Sequence, residues 1–266
     1  METHSYWYKQ TVTSPLFPDI EWAKPEQRSQ SGRIGIIGGN KLGFAGVADA
    51  YQTALKADVG EIRVLLPDAL RKTIPSSMTD AIFAPTNPSG SLARGAINEM
   101  KAMGDWASGI LMIGDAGRNS ETAIVYEEFI QSYKGPLTLT RDAVDLIKNS
   151  SGALVDRPDT LLVLSFAQLQ KLFQNVYYPK VLSFSMQLSN LVESLHKFTI
   201  TYPICITVLF KEQLLVAYGG DVTSTPWNDP MAIWRGSVAT RALVYWLWSP
   251  QNPFDSITAS LLISSN

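Results

Sequence analysis

Short apolar runs, each ending in a glycine or polar turn and each followed by residues at helical spacing, recur along the first two thirds of the chain. The first is Ile34, Ile36 and Ile37, the pattern of a strand buried on both faces, closed by Gly38 and Gly39. Asn40, Lys41 and Gly43 extend the turn. Gly46 then lies at the start of a helix that packs through Val47, Tyr51, Ala54 and Leu55 on one face. Ile62, Val64, Leu65 and Leu66 form the next strand. A strand–helix–strand unit of this length predicts a right-handed crossover and a parallel sheet. Ligands in such sheets sit beyond the carboxyl ends of the strands, which is where 38–46 falls.

The rhythm continues. Pro67 to Thr73 predicts a short helix, Ala81 to Ala84 a strand, and Pro85, Asn87, Pro88 and Gly90 a loop. Ser91 is placed to cap a helix running to about Met103. Ile110 to Ile113 predicts a buried strand ending in Gly114-Asp115-Ala116-Gly117-Arg118-Asn119, a second glycine turn. Asn119 or Ser120 caps the helix to about Tyr133. Leu137 to Leu139 is a strand followed by Thr140-Arg141-Asp142 and a helix through Lys148. Leu161 to Leu164 is a further strand, and Ser165-Phe166-Ala167-Gln168 leads into another helix. Four or five such units in a row predict a doubly wound, mostly parallel α/β sheet flanked by helices.

The pattern changes after about residue 200. Ile204 to Phe210 and Leu214 to Tyr218 predict an antiparallel hairpin on the sheet edge, near the C-terminal end. Gly219 to Pro230 reads as a polar loop, Met231 to Trp248 as one apolar helix, and Phe254 to Ile263 as a last helix. Residues 1–31 stand apart. Pro15, Pro18 and Pro25 break regular structure, while Trp7, Tyr8, Leu16, Phe17 and Trp22 are too apolar for a free tail. The expectation is an N-terminal arm over 1–31, packed on the domain or on a neighbouring subunit of a homo-oligomer, and a single α/β domain over 32–266.

Composition narrows the chemistry. A net charge of −2 over 266 residues gives no general attraction to nucleic acid or anionic lipid. Cys205 is the only cysteine, and His4 and His196 the only histidines, which excludes a disulfide framework or a cysteine-based metal cluster within one chain and disfavours a histidine-rich zinc site. The first ten residues carry no basic-then-apolar leader. Ile233 to Trp248 contains Arg235 and Arg241 and is too short to span a membrane. The expectation is a cytoplasmic protein without nucleic-acid or membrane partners, acting on a small-molecule nucleotide or metabolite.

The turns carry the candidate chemistry. Gly38-Gly39-Asn40-Lys41-Leu42-Gly43 is followed by Phe44, so it is neither a GxxxxGK[ST] phosphate loop nor a GxGxxG fingerprint. It reads either as a tight turn or as backbone N–H groups open to a phosphate or ribose. Asp115 and Asp142 fall just past strand ends and face one crevice. They read as helix caps or as carboxylates holding Mg²⁺ through water. Arg118 and Arg141 could bind phosphate bidentately. No Ser/His/Asp triad is visible. His196, among Leu191, Val192 and Leu195, reads as structural, and Cys205 as a small hydrophobe.

In this order the turns resemble the ADP/ATP-dependent NAD(P)H-hydrate dehydratases, a branch of the ribokinase-like superfamily. The family's Ile-Gly-Gly-Ser strand end and Gly-Ala helix start are matched by Ile37-Gly38-Gly39-Asn40 and Gly46-Val47. Ala57-Asp58-Val59-Gly60 stands for its Ala-Gly-Ala-Gly. Gly114-Asp115-Ala116-Gly117-Arg118 stands, one residue short, for its Gly-Pro-Gly-Leu-Gly-Arg. Thr140-Arg141-Asp142-Ala143-Val144 stands for its Asp-Ala-Asp-Ala-Leu, and Leu164 to Gln168 for its Leu-Thr-Pro-His-x-Gly-Glu, without the histidine. The resemblance covers roughly 32–262. It implies a ribokinase-like fold and, for an active protein, ATP or ADP with Mg²⁺. Gly38, Gly39, Asn40 and Gly46 would then serve the substrate, Gly114, Asp115, Gly117 and Arg118 the phosphates, Lys211 the nucleotide, and Asp142 the water-bound Mg²⁺.

The departures fall on the chemistry. The family's Gly-Thr-Gly-Asp turn supplies an anion hole and a catalytic base. With Gly236 taken as the family's helix glycine, Asp229-Pro230-Met231-Ala232 stands in its place, and only Asp229 could serve as base. Two readings follow. One is a divergent ribokinase-like relative, a pseudoenzyme without efficient family catalysis that retains a nucleotide- or metabolite-sized crevice. The other is an active ATP/ADP-dependent phosphotransferase or NAD(P)H-hydrate dehydratase using a rebuilt loop 219–232. A nicotinamide dehydrogenase fails on the missing fingerprint.

Overall fold

The computed structural model describes residues 5–262, so His4 and the end of the predicted last helix at Ile263 lie outside the described residues. Along the chain run β1 (Trp7–Lys9), β2 (Arg33–Gly38), α1 (Ala45–Lys56), β3 (Glu61–Pro67), β4 (Ala81–Ala84), α2 (Ile97–Trp106), β5 (Gly109–Gly114) and α3 (Ser120–Ser132). Then come β6 (Leu137–Thr140), α4 (Asp142–Leu146), α5 (Ser151–Val155), β7 (Thr160–Ser165), α6 (Phe166–Asn175) and α7 (Leu188–Thr201). The chain closes with β8 (Cys205–Phe210), β9 (Gln213–Tyr218), β10 (Asp221–Pro226), α8 (Met231–Arg235), α9 (Ser237–Trp248) and α10 (Pro253–Ala259). Among the described residues ten strands form one sheet in the order β1-β10-β9-β8-β7-β6-β5-β2-β3-β4. The pairs from β4 through β8 are parallel, and β9 is antiparallel to both β8 and β10.

Side-chain alternation sorts the strands onto two faces. Ile36, Leu111, Ile113, Leu161 and Val163 pack with α1, α8, α9 and α10. Their neighbours Ile37, Met112, Leu162 and Leu164 pack with α2, α3, α6 and α7 on the opposite face. The predicted doubly wound α/β class with a C-terminal antiparallel pair is the observed one, but the hairpin does not lie on the sheet edge, because β10 and β1 continue the sheet beyond β9.

Several local expectations are corrected. The polar loop at 219–230 contains β10, whose Thr223, Ser224 and Thr225 are buried. These hydroxyls have partners: Trp7 Nε1 donates to Ser224 Oγ at 2.9 Å and Gln10 Nε2 to Thr225 Oγ1 at 3.2 Å. A polar strand can therefore sit inside the sheet. The prolines of the N-terminal segment do not prevent regular structure there. β1 pairs in parallel with β10, and Pro18 opens a 3₁₀ turn over Pro18–Ala23 whose Ile20 packs on Tyr245 and Ala259. The helix predicted over 231–248 is two helices, because Gly236 takes the left-handed conformation (φ +82°) and ends α8. Pro67 to Thr73 contains only a 3₁₀ turn over Asp68–Leu70, and α5 had no counterpart among the predicted elements.

Candidate functional site

β2 pairs with β3 on one side and β5 on the other. The chain runs outward through β3 and β4, then returns to lay β5 on the opposite side of β2. This reversal makes the carboxyl ends of β2 and β5 the topological switch point of the sheet, the crevice position where doubly wound sheets take ligands. Gly38 and Gly114 end the two strands as partners, after a one-residue register shift that skips Ile113. The Gly39 N–H donates to the Gly114 carbonyl at 2.8 Å, with both residues at positive φ (+90° and +89°). A Cβ on residue 38 would collide with the Gly114 carbonyl oxygen, so the two backbones meet only because glycines stand there.

Asp142 organises the second turn. It opens α4 instead of capping it, and its carboxylate accepts the N–H of Asp115 at 2.8 Å and of Ala116 at 3.0 Å. Asp115, held at φ +53°, turns its own carboxylate to the start of α1. α1 has no capping side chain beside it, since Phe44 stands at the N-cap, and the Gly46 N–H donates to Asp115 Oδ2 at 2.5 Å. Arg141 donates through Nη2 to Asp115 Oδ1. The pair is largely buried, with 18% and 14% of the two side chains exposed. Arg141 Nη1 is buried with no hydrogen-bond partner, and a Cβ on residue 46 would coincide with it. Arg141 itself has φ +56° and ψ −142°, and its carbonyl accepts from Gln168 Nε2 at 2.7 Å.

The segment 87–91 ties the two turns together, a role its reading as a plain loop missed. Asn40, buried, donates through Nδ2 to the Ser89 carbonyl at 3.1 Å and to Ser91 Oγ at 2.6 Å. Ser91 Oγ donates onward to the Ala116 carbonyl. Ser91 is thus a bridge between turns, not a helix cap, and α2 starts at Ile97. Asn87 donates to the Leu92 carbonyl (3.1 Å), Asn119 Oδ1 (3.2 Å) and Thr122 Oγ1 (3.0 Å), and accepts from the N–H of Ser89 and Ser91. The Asn-Pro-Ser-Gly-Ser spelling was the available signal, because asparagine and serine side chains bond nearby backbone in turns. Gly117, at φ +68°, lies over Asn40.

The remaining candidates take other roles. Arg118 follows Gly117 in the second turn and is exposed. Lys211 forms the β8–β9 turn at φ +47° and donates to the Met186 carbonyl at 3.0 Å. β8 is three strand steps from β5, about 14 Å at ~4.8 Å per step. Asp229 is exposed and accepts through Oδ1 from the N–H of Met231 (3.0 Å) and Ala232 (3.2 Å), so it caps α8. His196 stacks on Tyr6 and bonds through Nδ1 to the Gly220 carbonyl. Cys205 is buried, which pushes its thiol pKa up. The Tyr126 hydroxyl is raised by burial and then by the negative charges of Asp142 and Asp115, so it stays protonated. Among the described residues no group of three or more His, Cys, Asp or Glu is placed to hold a metal, and no helix is long and apolar enough to cross a membrane. A cavity of about 400 Å³, bordered by Arg28, Glu61, Arg63 and Asp80, lies at the amino-terminal ends of β3 and β4, away from the crevice.

No protein-family profile matches the chain. A bifunctional NAD(P)H-hydrate repair enzyme of Methanothermobacter thermautotrophicus is 25% identical over 201 residues, 73% of this chain but only 36% of that protein. A ribokinase-like superfamily protein of Enterococcus faecalis superposes with a TM-score of 0.70 at 12% identity, covering 98% of this chain and 87% of that one. An ADP/ATP-dependent NAD(P)H-hydrate dehydratase of Bacillus subtilis, co-crystallised with ATP/Mg²⁺, superposes with a TM-score of 0.61 at 12% identity, covering 93% and 86%. The fold is ribokinase-like, and the sequence is similar to an NAD(P)H-hydrate repair enzyme.

Proposed function

We propose that this protein is a divergent ribokinase-like relative of the NAD(P)H-hydrate dehydratases that lacks efficient family catalysis and keeps the crevice at β2 and β5 as a binding site for a nucleotide or similar small metabolite. Residues 32–266 act as one domain in this reading, with the preceding arm packed on it.

The carrying observation is the surroundings of Asp229. As the only replacement base identified in the sequence, it faces the first amides of α8. The late helix itself begins at Ser237, so the turn that opens it is Trp234-Arg235-Gly236-Ser237. In this reading the family's Gly-Thr-Gly-Asp position is taken five residues later than Asp229-Pro230-Met231-Ala232, with Gly236 as the turn's own glycine and no longer the helix glycine. Ser237 then stands at the base position, and a hydroxyl without an adjacent general base does not activate an acceptor at neutral pH.

The alternative, an active enzyme with a rebuilt loop 219–232, loses support because Asp221–Pro226 of that stretch is the sheet strand β10 and Met231 already opens α8. The residues also fit Mg²⁺ poorly. Both Asp142 oxygens accept backbone N–H groups, and the Asp115 oxygens are taken by Gly46 and Arg141. What the crevice offers is positioning: glycine backbones for close approach, the Asn40–Ser91 bridge as a rigid floor, and a guanidinium for an anionic group.

The test is an NAD(P)H-hydrate dehydration assay with ATP or ADP and Mg²⁺, run beside nucleotide-binding calorimetry. Binding without turnover, unchanged in Asp229→Asn, supports the reading. Turnover abolished by Asp229→Asn overturns it.

A further inference from the structure

The crevice already holds an anion of its own. A helix N-terminus favours negative charge because its first amides point outward without partners. At α1 that charge is the Asp115 carboxylate, which takes the Gly46 N–H from 69 residues away. Arg141 closes over the same carboxylate from the neighbouring strand end.

Arg141 holds this position against three unfavourable terms. Its backbone sits at φ +56° and ψ −142°, a region that favours glycine. Its Nη1 is buried without an acceptor. Its positive charge lies beside Gly46 at the positive end of α1. The charge-assisted bond to Asp115 is the compensating contact. The resembled family has Ala where Arg141 stands in Thr140-Arg141-Asp142, and a methyl group reaches neither Asp115 nor Gly46.

We propose that Asp115 and Arg141 form an internal latch on the crevice. Asp115 occupies the anion seat at the start of α1, Arg141 holds it there, and a small molecule carrying a phosphate enters only when the pair opens. The incoming anion then takes over the Gly46 N–H and the guanidinium, including the nitrogen that has no partner in the latched state. The inference rests on the proposed reading of the crevice as a ligand site.

Amide hydrogen exchange at Gly46, followed by NMR on the full chain, tests it without any assumption about the natural ligand. The Gly46 amide is expected to be protected in the wild type and to exchange at least about tenfold faster in Asp115→Gly, which accepts the backbone conformation at 115, empties the seat and keeps the guanidinium. Saturating inorganic phosphate should restore protection in Asp115→Gly and leave the wild type little changed. An unprotected Gly46 in the wild type, unchanged protection in the variant, or an equal phosphate response in both overturns the latch. Should Asp115→Gly fail to fold, Asp115→Asn removes the charge from the seat and also keeps the guanidinium, with the same outcomes. Running ADP beside phosphate separates the two proposals. ADP no better than phosphate removes the nucleotide reading and leaves the latch standing.

Discussion

Asp142 grips the backbone of Asp115 from 27 residues further along the chain, accepting its N–H at 2.8 Å and that of Ala116 at 3.0 Å. The turn after β5 is shaped by a carboxylate delivered from the end of β6. Asp142→Ala leaves both amides without their partner and should cost about 2–4 kcal/mol, with Asp142→Asn intermediate. Gly114→Ala should be comparably damaging, since its Cβ would enter the space of Asp142 Oδ1 at a residue held at φ +89°. Urea denaturation of the three variants measures this, and unchanged midpoints would remove Asp142 from the role assigned to it.

Gly236 and Ile113 provide a second, independent pair. A Cβ at 236 would meet Ile113 Cδ1, and the residue holds φ +82°. Gly236→Ala should destabilise by at least ~1–3 kcal/mol from backbone strain alone. Ile113→Val removes the obstructing methyl, so the double variant should recover the steric part of the loss. A double-mutant cycle reads that coupling directly, and strict additivity would show that the contact does not matter.

Asn87 is the hub between the loop and α3. Asn87→Ala removes two N–H donors shared among three acceptors, and two accepted bonds, from a residue that is 4% exposed. A loss of at least about 3 kcal/mol is expected. Asn87→Asp keeps the accepted bonds from Ser89 and Ser91 and should retain part of the stability. Thermal melts of both variants, ranked against the wild type, check the order.

Asp255 makes stability depend on acidity. Burial, and then the charge of Asp221, raises its carboxyl above the ordinary carboxylate value. The folded state therefore binds its proton more tightly than the unfolded chain does. Its contribution is neutral below the unfolded pKa of about 3.9 and becomes unfavourable as pH rises through the raised folded value. Asp255→Asn should be more stable than the wild type near neutral pH, with the difference vanishing in acid. Denaturation midpoints across pH 3–8, a range of about five units around that window, check the sign, and a variant less stable at pH ~7 would refute it.

The two-faced strands were legible in advance because burial in a strand follows a local repeat. Ile36 and Ile37, or Leu111 and Met112, point to opposite layers whatever the rest of the chain does. The two glycine turns were legible for a related reason, since Gly38 and Gly114 mark where backbone must approach backbone. β10 was not, because Thr223, Ser224 and Thr225 look like a solvated loop until Trp7 and Gln10 supply their partners. Nor was the break at Gly236, since a lone glycine in an apolar run does not reveal whether its φ is positive.

The sequence by itself determined the α/β class, the strand ends at which chemistry is possible, and the absence of the family's Gly-Thr-Gly-Asp spelling. Tertiary structure alone decided what the polar side chains do there. Asp115 serves Gly46 across 69 residues, Asp142 serves Asp115 across 27, and Ser91 serves Ala116 across 25. Hydrophobic periodicity is written in neighbouring residues because the backbone repeat that reads it is local. A carboxylate or amide bonds whichever donor or acceptor the packed strands and helices bring within reach, and that choice exists only once the sheet has formed.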